Sequence, residues 1–346
     1  MLRRCFGLLA IALVAAMCGQ SWAFDSVKTV QGTFAGHLTG LSPVKIDLQT
    51  ASGNGSKEIQ VNQVITVYFE NEPATLRAAK RKVVEGRFSD ALAELNRLKE
   101  ESPREEIKQD VEFYKAFCAA RLAQQGSGEI ADAGHRMIAF LDGSPKSYHY
   151  YTAIEVVGDL LMAVGQYPQA AEYYARLDAA PWPDTKMRAG VAIGRALLAQ
   201  GKTDEARAAF DRVLAVEAEG EPAATERLLA NLGKAAVLAA VRKNDEAIAA
   251  VKNLLERADP DNQQVQARAY NVLGTAYRQA GRLQEALLAF LQVDLLYADV
   301  SDAHAEALSN LADLWDQVHK PERAERARRI LADRYSNSRW AKKKGG

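Results

Sequence analysis

From about residue 74 to residue 338 the chain repeats one short pattern. A small residue is followed by a Gly near a turn, then an Ala, then an aromatic anchor. The clearest copy runs Gly274, Tyr277, Gly281, Ala286, Phe290. Others run Gly158, Leu161, Gly165, Ala170, Tyr174 and Gly194, Leu197, Gly201, Ala206, Phe210. Weaker copies keep Ala91, Ala133, Ala247 and Ala324, so successive alanines stand 42, 37, 36, 41, 39 and 38 residues apart. Each period has room for two helices, and Ala, Leu, Glu, Arg and Lys dominate the stretch, all good helix formers. One helix pair buries only one face, and it does so by stacking on the next. Seven copies therefore predict an elongated α-solenoid with a concave side rather than one closed core. Glycines 158, 194 and 274 let the first helix approach its partner, alanines 170, 206 and 286 do the same from the second, and Tyr174, Phe210 and Phe290 fill the remaining gap.

The pattern resembles that of tetratricopeptide repeats, most clearly in three units. One has Tyr270, Leu273-Gly274, Tyr277, Gly281, Ala286 and Phe290; the second has Val157-Gly158, Leu161, Gly165, Ala170, Tyr174 and Pro181; the third has Ile193-Gly194, Leu197, Gly201, Ala206 and Phe210. The family's usual step is about 34 residues, so these units are longer. The resemblance implies a mainly α, right-handed superhelix of about seven helical hairpins over residues 73–338. It also places an inner wall on the first helices. Carried over by position, that wall holds Thr152, Glu155, Asp159 and Met162, then Arg188, Val191, Arg195 and Leu198. Arg268, Asn271, Thr275 and Arg278 follow, and then Glu306, Ser309, Asp313 and Asp316. Its charge would run acidic, basic, acidic. The Lys and Asn with which chaperone-binding members clamp a C-terminal carboxylate are missing: the matching positions read Glu155/Asp159, Val191/Arg195 and Asn271/Thr275.

The region before the repeats reads differently. Residues 1–23 have two basic residues, an apolar run from Phe6 to about Met17, and Ser21-Trp22-Ala23, the layout of a secretory signal peptide cut after Ala23. Lipid anchoring at Cys18 is not expected, because Met17 precedes it where a small residue is needed. Export would place the chain in the periplasm, with no membrane segment after cleavage. Residues 24–72 alternate apolar and polar with turns between, as in Val44-Lys-Ile46-Asp-Leu48 and Val64-Ile65-Thr66-Val67. Up to five short strands, with Gly36 and Gly40 available for a sharp bend, are similar to Sm-like and SH3-like small barrels. That resemblance implies a five-stranded closed barrel, which could cap the exposed end of the solenoid or serve as a second docking site. Residues 339–346 read as a basic flexible tail.

Composition narrows the partners. The chain has 44 basic and 44 acidic residues; without Arg3 and Arg4 the balance is slightly acidic, which gives no general attraction for nucleic acid or anionic lipid. After cleavage only Cys118 remains, so no intrachain disulfide forms, and its apolar neighbours predict a buried thiol. The five histidines show no metal-ligand spacing, and His304 with Glu306 and Asp313 reads as a solvated helix face. No phosphate loop, nucleophile elbow or zinc motif occurs. No enzyme, cofactor or metal is expected. The expectation is a non-enzymatic scaffold in the cell envelope that binds a segment of a protein partner in its groove. The alternative is a peptidoglycan- or carbohydrate-binding module that uses the tyrosines of Tyr148-His149-Tyr150-Tyr151 as a stacking patch.

Overall fold

The structure, a computed structural model, describes residues 24–51, 55–98 and 104–342. The expected signal peptide, Cys18 and the last four residues lie outside them. Five strands come first: β1 (Asp25–Thr29), β2 (Gly32–Leu41), β3 (Lys45–Thr50), β4 (Ser56–Gln60) and β5 (Val64–Tyr68), with a 3-10 turn at Val61–Gln63. They form one antiparallel sheet in the order β4-β3-β2-β1-β5. The β2–β3 register shifts between Leu38 and Gly40, where the long β2 strand bends. The expected barrel does not close, since β4 and β5 are the two edges and do not pair. The 3-10 turn separates them, and β5 turns instead toward the first helix, where its Val67 carbonyl accepts from Lys80 Nζ at 2.7 Å.

Seven helical hairpins follow. They are α1 (Ala74–Val84) with α2 (Phe88–Asn96), α3 (Glu105–Gln124) with α4 (Ile130–Gly143), and α5 (Tyr150–Val164) with α6 (Tyr167–Ala175). Next come α7 (Pro183–Ala199) with α8 (Thr203–Leu214), α9 (Glu221–Ala240) with α10 (Asn244–Leu255), α11 (Gln263–Gln279) with α12 (Leu283–Leu296), and α13 (Ser301–Gln317) with α14 (Pro321–Tyr335). A fifteenth helix, α15 (Arg339–Lys342), lies beyond the expected seven pairs and replaces the start of the expected flexible tail. The seven alanines that set the period all fall on second helices and are buried. Gly165 ends α5 in the left-handed region at φ 83°, a conformation that only glycine adopts without strain. No helix among the described residues is long and apolar enough to cross a membrane.

Three first-helix glycines lie directly against the aromatic rings of their partner helices. A Cβ built on Gly194 would lie 2.5 Å from the Phe210 ring, and one on Gly274 would lie 2.7 Å from Phe290; Gly158 meets Tyr174 closer still. Gly233 of α9 meets Phe210 from the other side. The Phe210 ring is thus lodged between glycines of two successive first helices, and it is fully buried. This contact sets how closely one unit stacks on the next.

A buried ionic cluster fastens the sheet to the helices. Lys80 Nζ of α1 lies 2.6 Å from Glu72 Oε2 and 2.5 Å from Asp110 Oδ2 of α3, with all three side chains excluded from solvent. Asp110 Oδ1 also meets Tyr148 OH and His149 Nε2, each at 2.9 Å. Burial alone would raise the Asp110 carboxyl, but Lys80 and His149 hold it below its ordinary value. Burial lowers His149, which stacks on Phe113 at 3.6 Å. Thr66 of β5 reaches Tyr114 OH in the same region. Val27, Ile46, Val67 and Phe69 of the sheet region share one apolar core with Leu76 and Ile107 of the first hairpins. The sheet reaches further along the solenoid too, since Trp182 Nε1 donates to Gln60 Oε1 at 3.0 Å.

The solenoid curves until its end meets its beginning. Asn337 Nδ2 donates to Glu129 Oε2 at 2.8 Å, and Arg339 donates to Tyr167 OH at 2.6 Å. Gly126, at φ 90°, packs against the Arg334 carbonyl so tightly that a Cβ would overlap it. His304, expected on a solvated face, is buried and bonds Tyr335 OH at 2.8 Å and Asp294 at 2.9 Å, which fixes α14 against α12 and α13. The helix packs against its neighbours more completely than its charged sequence implied.

Two outcomes follow for stability. Gly233→Val drives a side chain into Phe210 and is expected to cost about 1–3 kcal/mol, whereas Gly134→Ala, in an open part of α4, should gain roughly 0.5–1 kcal/mol from helix propensity. Chemical denaturation of the two variants checks the contrast. Lys80→Ala removes the ammonium shared by two buried carboxylates, leaving Glu72 with Arg77 and Asp110 with Tyr148 and His149, and should cost about 3–5 kcal/mol; an unchanged denaturation midpoint would remove the cluster from its fastening role.

Candidate functional site, a charged central cavity

The inner faces of α3, α5, α7, α9, α11 and α13 converge on one cavity of about 590 Å³, which the C-terminal segment closes with Arg339 and Trp340. That volume suits a small ligand or a few residues of a peptide. Of the sixteen inner-wall positions expected from sequence, seven line it: Glu155, Asp159, Met162, Arg188, Val191, Arg195 and Arg268. The other nine do not. Thr152 is exposed near the start of α5. Asn271 is buried and donates to the Ala303 carbonyl at 2.9 Å, tying α11 to α13. Arg278 and Asp313 pair with each other at 3.3 Å. Asp316, farther along α13, is paired with Arg328.

The charges that alternate along the sequence pair across the cavity. Arg188 Nε lies 3.3 Å from Glu155 Oε2. Asp302 of α13 holds Arg195 and Arg268 together, each at 2.8 Å. Asp302 opens onto the cavity, where its side chain stays 45% exposed. Burial works against its charge, but Arg268 and Arg195 keep its carboxyl far below the usual range. Asp159 accepts from Tyr174 OH at 2.8 Å, so a repeat-packing ring also positions a cavity carboxylate. Burial raises Glu155 above its ordinary value despite Arg188, and it raises Asp159 despite Arg121.

Sequence reasoning missed Arg121, Glu226, Asp302, Arg339 and Trp340. Glu226 had a signal available: it lies one turn before Leu229 on α9, in one of the weaker repeat copies, for which the pattern assigns no wall position. Asp302 sits in the first turn of its helix, and no repeat position marks it. Arg339 and Trp340 reach the cavity only because the solenoid closes on itself.

In the tyrosine run, Tyr148 and His149 are buried while Tyr150 and Tyr151 stay partly exposed, and none of the four lines the cavity. Tyr148 is 4% exposed and belongs to the buried ionic cluster. Cys118 is buried, and burial pushes its thiol up to about 12. Among the described residues no group of three or more His, Cys, Asp or Glu could hold a metal ion.

The tetratricopeptide repeat profile matches residues 191–235 and 232–299, which span much of α7 through α12. The chain thus carries tetratricopeptide repeats there. No curated protein sequence matches it. Among solved structures, it is similar to a tetratricopeptide repeat protein from Parabacteroides merdae, with a TM-score of 0.51, 16% identity, and coverage of 78% of this chain and 96% of that one. It is also similar to the apo form of the quorum sensor NprR from B. thuringiensis, with a TM-score of 0.52, 14% identity and coverage of 75% and 74%. A Rap protein complexed with Competence and Sporulation Factor gives a TM-score of 0.51 at 14% identity, with coverage of 75% and 73%. At these identities the likeness shows the fold.

The cavity makes a pH prediction. Burial raises Glu226 to about 7, with Arg188, Glu155, Arg268 and Asp184 facing it. Unfolded, it ionises near pH 4.5. Between these values the native state keeps a proton that the unfolded chain has lost, so this residue's contribution to stability falls as pH rises and levels off above pH 7. Glu226→Gln should therefore stabilise the protein by up to about 3 kcal/mol near pH 8 and leave it unchanged near pH 4. Denaturation midpoints measured at both pH values test this.

Proposed function

We propose that this protein is a non-enzymatic scaffold of the cell envelope that holds a segment of a protein partner in its central cavity. Tetratricopeptide repeats are protein-interaction modules, and the observation that carries the reading here is convergence. Six first helices, spread over nearly 200 residues of sequence, aim charged side chains into one 590 Å³ space. Most of these groups contribute nothing to the apolar core. The Rap neighbour is complexed with Competence and Sporulation Factor, which supports such a solenoid as a fold that holds a ligand. The N-terminal pattern of Arg3, Arg4, an apolar run and Ser21-Trp22-Ala23 supports export to the periplasm.

A photo-crosslinking residue in place of Leu229 should capture one defined segment of one partner. Met162→Trp, which fills the cavity, should weaken that capture at least about tenfold, a loss of about 1.4 kcal/mol. Thr152→Trp, outside the cavity, should leave it intact. Equal capture by all three proteins, or recovery of an uncleaved chain from the cytoplasm, would overturn the corresponding half of the reading.

A further inference from the structure

We propose that Glu226 anchors a cationic group, an ammonium or a guanidinium, carried by the peptide segment that enters the cavity. This inference rests on the cavity being the partner site. Glu226 is only 9% exposed, and among the described residues its buried Oε2 has no hydrogen-bond partner. Its electrostatic neighbours Glu155, Arg188 and Arg268 all line the cavity, which places the carboxyl among them.

The nearby cations have their ion pairs elsewhere, although the buried Nε of Arg268 has no hydrogen-bond partner of its own. Arg188 is paired with Glu155, and Arg268 is held on Asp302 together with Arg195. Farther round the wall, Arg121 bonds Gln124 and lies over the Phe117 ring, and Arg339 bonds Tyr167 and lies over Trp340. Every arginine of the wall has a partner, while Glu226 has none. A buried carboxylate without a partner destabilises the fold that holds it. Its position in the cavity wall offers compensation, because an entering cation would supply both the counter-charge and the missing donor. Leu229, one turn further along α9, together with Met162 and Val191 of the same cavity wall gives an apolar surface for the methylene stem of a lysine or arginine. Burial that raises this carboxyl toward neutrality agrees with a site lacking its cation.

Isothermal titration of the purified chain tests the proposal with four tripeptides. Two are cationic: Ala-Lys-Ala blocked at both ends, and Ala-Ala-Ala amide with a free amine. Two are controls blocked at both ends: Ala-Ala-Ala and Ala-Glu-Ala. At least one cationic probe should bind and neither control should; the cationic probe preferred tells whether a side chain or a terminus is recognised. Glu226→Gln should weaken that binding roughly ten- to a hundredfold, and Glu226→Asp should restore part of it. Absence of cationic binding, equal binding of a control, or unchanged affinity in Glu226→Gln would overturn the proposal. The partner captured by crosslinking separates this inference from the broader one. If Met162→Trp abolishes capture and Glu226→Gln does not, only the cation anchor falls. If neither variant affects capture, the cavity is not the partner site.

Discussion

The contact between an aromatic ring and a glycine on a neighbouring helix governs the rest of this structure. Where Phe210 lies against Gly194 and Gly233, two first helices approach within the thickness of one ring. A larger residue at either glycine would push the units apart and change the angle between them. In a stacked array such small angles accumulate. The tight spacing curves the solenoid, the curvature brings six inner faces around one volume, and the same curvature carries α15 back to the early hairpins. The cavity follows from the packing that the repeat residues impose, although none of the glycines takes part in its chemistry.

The other fastening is electrostatic. Lys80, Glu72 and Asp110 sit where β5, α1 and α3 meet, and none of the three touches water. An apolar contact would also have buried this junction. Charges are more selective, because each must face a partner at hydrogen-bond distance or suffer a large desolvation cost. The cluster therefore sets the sheet's orientation on the first hairpins. Tyr148 and His149 extend that constraint to the start of α5.

The repeats were legible because their residues are constrained by contact. An alanine or glycine at a helix crossing has few substitutes, so Ala91 through Ala324 gave the hairpin register and all seven lie buried. The cavity was legible only where a first helix had a secure register, as on α5 and α7. Glu226 lies on α9 in one of the weaker repeat copies, and Asn271 occupies an inner-wall position yet turns to the Ala303 carbonyl instead. The sheet was read correctly as five strands, but closure depends on whether two edges meet, and no residue pattern within a strand records that. Similarly, alternating charge along the sequence could not show that Arg195 and Asp302, 107 residues apart, share an ion pair.

A helical array usually behaves as a one-dimensional chain of neighbours, in which either end frays without disturbing the other. The bonds of Asn337 to Glu129 and Arg339 to Tyr167 join positions 208 and 172 residues apart and turn the line into a loop. Loss of the last helix then releases a constraint on α4 and α6, and the two ends gain a shared cooperativity that stacking alone does not provide. Loops of this length close slowly. The hairpins can stack in order, but the space between them is complete only when Asn337 reaches Glu129 and Arg339 reaches Tyr167. A folding intermediate without those two contacts would present the same inner wall as an open trough.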